Sequence, residues 1–295
     1  MPKNAGSAAR SQVSSPVTRP VIRTVSEERS RPNVSRPRPL VPPKPYYEAH
    51  GITLYVGDAR AILPTLPRGN HVNGVGVLLA DPPYGVNARA SGYRKVKLAR
   101  DRIAHDETST MGMEIVEAAW SRLRLSRHAY VFGPFDLRAL PYAAGHCQLV
   151  WDKMLHGVGD LALPWGRQHE PIQFALRKDG PAQVKRGEGA LVARLRAGNV
   201  LRHKRPNGKG ARHHISEKPV PLLRELIEMS SRHGETVLDP CVGSGSTLVA
   251  ALMEGRRAIG IELEVEWADV AVQRLEALTR YGNPFGELRA LRSER

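Results

Sequence analysis

Five apolar residues and one glycine, Val75-Gly76-Val77-Leu78-Leu79-Ala80, run without a break into Asp81-Pro82-Pro83-Tyr84-Gly85. A strand with one wet face would alternate apolar and polar positions. An unbroken run of this length reads instead as a strand buried on both faces, with helices above and below a mainly parallel sheet. The two prolines end it, because neither can donate to a ladder. A similar unit recurs late in the chain. Thr236-Val237-Leu238 reads as a strand closing at Asp239, followed by a glycine-rich turn and a helix over 244–253. A strand over 258–261 then leads to Glu262, and a last helix covers 267–278.

The remaining elements fit the same plan. A strand over 52–56 closes at Gly57-Asp58, and a short helix follows over 59–66. Ile115, Ala119 and Leu123 recur at helical spacing. Further strands are expected over 129–132, 147–151 and 171–176, and Leu222, Leu223, Leu226 and Ile227 mark one face of a helix. Strands alternating with helices predict an α/β fold around a doubly wound, mostly parallel sheet, with order beginning near Ile52.

Charge divides the chain unevenly. Lys and Arg number 44 against 29 Asp and Glu, a net charge of +15. Residues 1–47 hold nine basic and two acidic residues, and so do residues 179–213, leaving +1 for everything else. A near-neutral body with two basic appendages points to a polyanion, most simply nucleic acid. Pro32, Pro37, Pro39, Pro42, Pro43 and Pro45 make the first segment an expected disordered arm. These prolines and Glu27-Glu28 argue against an amphipathic targeting helix. In the second segment, Lys185, Arg186, Arg194, Arg196, Arg202, Lys204, Arg205, Lys209 and Arg212 are expected mostly to contact phosphates.

Composition excludes several classes. The chain is 41% hydrophobic and 25% charged over 295 residues, which rules out wholesale disorder. No apolar run reaches the length of about 18 needed for a membrane span, and no apolar leader opens the chain, so a cytoplasmic location is expected. Cys147 and Cys241, the two cysteines, cannot build a disulfide framework or a multi-cysteine zinc site. His203, His213 and His214 lack partners at ligand spacing, so no metal is expected; they are read as contacts to phosphate or solvent.

Two stretches carry chemistry. In Asp239-Pro240-Cys241-Val242-Gly243-Ser244-Gly245-Ser246-Thr247, glycines let the backbone approach a ligand and a helix start offers free N–H groups. Glu262, 23 residues after Asp239, can accept hydrogen bonds from both hydroxyls of a ribose. The turn is not a dinucleotide fingerprint, since Leu248 stands at the third glycine position, and it lacks the Gly-Lys-Ser/Thr of a phosphate loop. Asp239 would repel a pyrophosphate but suits a ligand carrying an ammonium and a sulfonium. Asp81-Pro82-Pro83-Tyr84 presents a carboxylate, a rigid carbonyl and a ring, which suits a planar amine.

Asp81-Pro82-Pro83-Tyr84-Gly85 resembles the catalytic motif of S-adenosylmethionine-dependent amino-methyltransferases of DNA. The stretch from Ser216-Glu217-Lys218-Pro219 through the Asp239–Thr247 turn to Gly260-Ile261-Glu262 resembles that family's cofactor block. Catalytic motif before cofactor motif is the order of the circularly permuted β subgroup, and the resemblance spans roughly residues 50–280 apart from 179–213. It implies a Rossmann-like methyltransferase fold in four parts: an arm (1–47), a catalytic half (48–178), a target-recognition segment (179–213) and a cofactor-binding half (214–295).

The resemblance further implies that Asp239, Gly243 and Gly245 line the methionine part of S-adenosylmethionine. Cys241, Ser246 and Thr247 belong to the same turn. Glu262 would hold the ribose and Asp58 would sit near the adenine ring. Ser216, Lys218 and Pro219 would approach the cofactor carboxylate, while Asp81, Pro82, Pro83 and Tyr84 would hold the target base. The substrate is then double-stranded DNA and the product N6-methyladenine, with N4-methylcytosine as the alternative. The family pattern permits a homodimer.

Two departures stand out. A bulky aromatic residue is usual where Cys241 stands, and the recognition segment is short. A cysteine nucleophile of the C5-cytosine type is disfavoured, because Cys241 lies in the cofactor turn. Methylation of RNA or of a protein amide is less favoured, since Asn is usual there in place of Asp81. A silent DNA-binding protein would need neither Asp81 nor Glu262, and a nicotinamide-linked oxidoreductase would want the missing third glycine.

Overall fold

A computed structural model describes residues 41–68, 74–83, 109–155, 164–166, 168–178, 197–205 and 217–280. The strands are β1 (Tyr47–Ala49), β2 (Ile52–Val56), β3 (Val75–Ala80), β4 (Leu123–Phe132), β5 (Ala143–Asp152), β6 (His169–Arg177), β7 (Val200–Arg202), β8 (Thr236–Asp239) and β9 (Arg257–Glu262). The helices are α1 (Ala59–Ile62), α2 (Ser109–Trp120), α3 (Val220–Ser230), α4 (Ser246–Met253) and α5 (Val265–Arg280). Among the described residues the strands form one sheet, in the order β1-β2-β9-β8-β3-β4-β6-β5-β7.

The apolar run of β3 is buried at all six positions, between parallel neighbours β8 and β4. Val77 and Leu79 face a core closed by Leu222, Leu223, Leu226 and Ile227 of α3, the apolar residues of α4, and Ala268, Ala271 and Leu275 of α5. Val75, Leu78 and Ala80 face the opposite core, closed by Ala59 and Ile62 of α1 and by Ile115, Val116, Ala119 and Trp120 of α2. This two-sided burial is why the sequence of β3 does not alternate.

From β3 the chain proceeds through α2 to β4 on one side, while from β8 it proceeds through α4 to β9 on the other. The boundary between β8 and β3 is thus a switch point, where a crevice opens beyond the carboxyl ends of the strands. At the far end β6 runs antiparallel to both β4 and β5, and β7 runs parallel to β5. The start of β6 and the ends of β5 and β7 therefore reach the same edge as the ends of β3 and β8.

Several sequence expectations need correction. Order starts before Ile52, because β1 pairs antiparallel with β2. Leu123 is not on a helix; α2 stops at Trp120, and Leu123 opens β4, pairing with Val75. Its spacing from Ile115 and Ala119 is helical only by coincidence of one core reached from two elements. The helix expected over 59–66 is one α-helical turn followed by a 3-10 turn at Leu63–Thr65, where Pro64 cannot donate. α4 begins at Ser246 rather than 244, because Gly245 takes the left-handed conformation at its N-cap (φ 88°). Among the described residues no helix is long and apolar enough to cross a membrane.

Candidate active site

Four carboxylates stand on the carboxyl edge of four adjacent strands: Asp58 after β2, Glu262 ending β9, Asp239 ending β8, and Asp81 after β3. Three of them share a local device. Asp58 accepts the backbone N–H of Arg60 at 2.8 Å, Asp239 that of Cys241 at 2.9 Å, and Glu262 that of Glu264 at 2.9 Å. Each acid thus bonds the amide two residues on, the turn that short carboxylates make at strand ends. Asp81 cannot do this. The residue two positions on is Pro83, which has no N–H.

Asp81 is held instead by a side chain from a distant segment. The Lys218 ammonium lies 2.6 Å from Asp81 Oδ2 and 2.9 Å from Glu170 Oε1. The other oxygen of Glu170 is 3.1 Å from Lys153 Nζ. Lys218 is buried, 5.0 Å above the ring of Phe132. The two lysines keep Glu170 ionised against burial and hold its carboxyl below the usual range.

The acids ending β8 and β9 are crowded. Burial, with Asp81 and Glu262 adding like charge, pushes Asp239 up to about 7, against hydrogen bonds from Thr247 and the Cys241 amide. Glu262 is raised too, chiefly by burial, although the Gly243 amide donates to it at 2.7 Å. Burial and all four neighbouring acids push the Cys241 thiol well up. That direction disfavours the thiolate that a cysteine nucleophile needs.

The two turn glycines have different reasons to be glycine. Among the described residues nothing lies within 4 Å of where a Cβ on Gly243 (φ 53°) would stand. A Cβ on Gly245 would come within 2.7 Å of the Cβ of Ala271, so that position admits α5 rather than a ligand. Ser246 is likewise turned inward: its hydroxyl lies 3.1 Å from Arg274 Nη1, and Thr247 bonds Asp239. Arg274 also pairs with Glu217 at 3.1 Å, fixing the residue just before Lys218.

Pro82 is buried and Pro83 half-buried behind α2. A Cβ at Gly112 would stand 2.2 Å from the Pro83 carbonyl, so α2 can back the turn over 81–83 only with glycine there. Tyr84 and Ser216 lie outside the described residues. So do Lys185, Arg186, Arg194, Arg196, Lys209, Arg212, His213 and His214.

Of the basic segment, Arg202 ends β7 with its side chain 68% exposed, 3.6 Å from Asp152. Lys204 is exposed and Arg205 half-buried. His203 does not face solvent as expected: its Nε2 pairs with Glu225 of α3 at 2.8 Å. Among the described residues no group of three or more His, Cys, Asp or Glu could hold a metal ion. Lys153, Glu170, Glu217, Arg274 and Gly112 are site residues that sequence reasoning missed. Each works through a contact with a residue remote in the chain, which no local spacing reveals.

Residues 144–273 match the N6_N4_Mtase family model, described as DNA methylase. The chain is 54% identical over 232 residues to the Escherichia coli K12 protein "Putative methylase YubD", covering 76% of this chain and 90% of that protein. It is 25% identical over 259 residues to the "DNA adenine methyltransferase YhdJ" of the same organism, covering 78% and 84%. In fold it resembles the cytosine-N4-specific PvuII DNA methyltransferase, with a TM-score of 0.57 at 15% identity over 78% of this chain and 88% of that one.

The crevice fits S-adenosylmethionine. An acidic rim with an interior carboxyl raised toward neutrality is matched by a ligand bearing an ammonium and a sulfonium. Asp239 and Glu262 would hold it. The chain belongs to the adenine-N6/cytosine-N4 family of DNA methyltransferases, enzymes that take their methyl group from S-adenosylmethionine.

Proposed function

We propose that this chain methylates N6 of a flipped adenine in double-stranded DNA, with Asp81 as the carboxylate that binds the reacting amine. The observation that carries this reading is the contrast at the sheet edge. Asp58, Asp239 and Glu262 spend an oxygen on their own backbone, whereas Pro83 denies Asp81 that bond and leaves its carboxylate for side-chain and substrate donors.

The chemistry follows from the amine. Its lone pair is delocalised into the base, so it is a poor nucleophile. Asp81 and the Pro82 carbonyl accept its two N–H groups and favour a pyramidal nitrogen with the lone pair directed across the switch point toward the β8 turn. The cofactor supplies an activated methyl group on its sulfonium, so no covalent enzyme intermediate is needed. Alignment and fixed charge then provide most of the acceleration. A base inside a duplex is out of reach, so it leaves the stack, and Tyr84 is assigned to stack on it.

Adenine is favoured over cytosine by Asp at the first motif position and by the likeness to YhdJ, named an adenine methyltransferase. The exposed Arg202 and Lys204 lie at the edge that the DNA must approach, and the segment 179–213 is assigned to target recognition.

The test is nucleoside mass spectrometry of methylation-free DNA incubated with the protein and S-adenosylmethionine, beside an Asp81→Ala control. N6-methyladenine that disappears in the control is the expected result. N4-methylcytosine would overturn the choice of base, and undiminished methylation by Asp81→Ala would overturn the role of the carboxylate.

A further inference from the structure

Four charged side chains of alternating sign run through the target half of the edge: Asp81, Lys218, Glu170 and Lys153, with successive separations of 2.6, 2.9 and 3.1 Å. They come from four segments: the turn after β3, the approach to α3, the start of β6 and the end of β5. The chain is electrically balanced, which offsets the cost of taking its members from water. It is also geometrically constrained at its centre. The Lys218 ammonium is fixed by two carboxylates and by the ring of Phe132. Its backbone is fixed from behind, because Glu217 is tied to Arg274, which in turn bonds Ser244 and Ser246 of the cofactor turn.

A lysine beside the cofactor crevice could equally serve the cofactor's carboxylate. The geometry answers against that as the first role of Lys218: its ammonium already lies between two side-chain carboxylates, on the target side of the switch point. Glu170 is what draws it there. Glu170 shares the ammonium with Asp81, at 2.9 and 2.6 Å, so the ammonium is not centred on Asp81 alone.

We propose that Glu170 is a positioning residue for methyl transfer, holding Lys218 so that Asp81 keeps the orientation that the target amine requires. This rests on the reading of Asp81 as the amine acceptor. Glu170 touches neither substrate nor cofactor; it acts through Lys218, with Lys153 securing its other oxygen.

The experiment compares wild type, Glu170→Gln, Lys218→Gln and the double variant, measuring kcat for transfer to DNA and the cofactor Kd by calorimetry. A misplacement of the order of 1 Å at a reacting centre lowers turnover by about 100-fold, and that loss is expected for Glu170→Gln, with cofactor Kd unchanged. Because the two residues act as one unit, the double variant should be no slower than the slower single variant. Wild-type turnover in Glu170→Gln, a matching loss of cofactor affinity, or multiplicative losses in the double variant would each overturn the proposal. Should Glu170→Gln fail to fold, Lys153→Gln carries the test: a drop in kcat of about tenfold is expected from loosening Glu170 at one oxygen, and unchanged turnover overturns the idea. Absence of transfer to DNA by the wild type would instead overturn the reading on which the proposal rests.

Discussion

The two halves of the sheet edge hold their carboxylates by different means. On the side proposed to hold the cofactor, Asp58, Asp239 and Glu262 are each bonded by the amide two residues further on, so a few consecutive residues build each station. On the side proposed to hold the target base, Pro83 removes that amide, and Asp81 is held by Lys218, 137 positions away, which is itself held by Glu170. A locally capped acid is a fixed feature of its turn. An acid held by remote side chains depends on the assembled fold, and its orientation can be set by residues that never meet the substrate.

The contrast can be broken from either side. The largest effect is expected on the cofactor side, where Glu262→Ala removes a carboxylate assigned to both ribose hydroxyls. Hydrogen bonds to a charged group contribute about 1.5–3 kcal/mol each, so affinity for S-adenosylmethionine should fall by roughly 100-fold or more in calorimetry. Affinity within a factor of three of wild type would remove Glu262 from the cofactor site. A smaller effect is expected from Pro83→Ala, which restores the missing amide. One charge-assisted bond of about 1.5 kcal/mol drawing Asp81 to its own backbone would slow transfer roughly tenfold. Cofactor affinity should stay unchanged. Full turnover in Pro83→Ala would show that the prolines merely shape the turn.

The same contrast explains how much was legible in the sequence. The β3 run, the Asp239–Thr247 turn and Glu262 could be read directly, because each is a contiguous pattern whose physics is local. Gly243 and Gly245 look equivalent as letters, yet only at Gly245 would a Cβ meet another element, at Ala271 of α5. Leu123 was misread because its core position is shared by helix and strand. Glu170 and Lys153 carried no signal at all: each is an ordinary charged residue beside a strand until β6 folds back between β4 and β5. Lys218 was noticed for its neighbours in sequence, which gave no sign of its ion pair with Asp81.

The central claim is that the edge is divided, with Asp81 serving the amine and not the cofactor. The most direct measurement is the pair of cofactor Kd and single-turnover methyl-transfer rate for Asp81→Ala. The division calls for a cofactor Kd within a few-fold of wild type and transfer slowed by at least about 100-fold. Loss of cofactor binding in step with transfer would contradict it, and would make Asp81 a fourth member of the acidic rim.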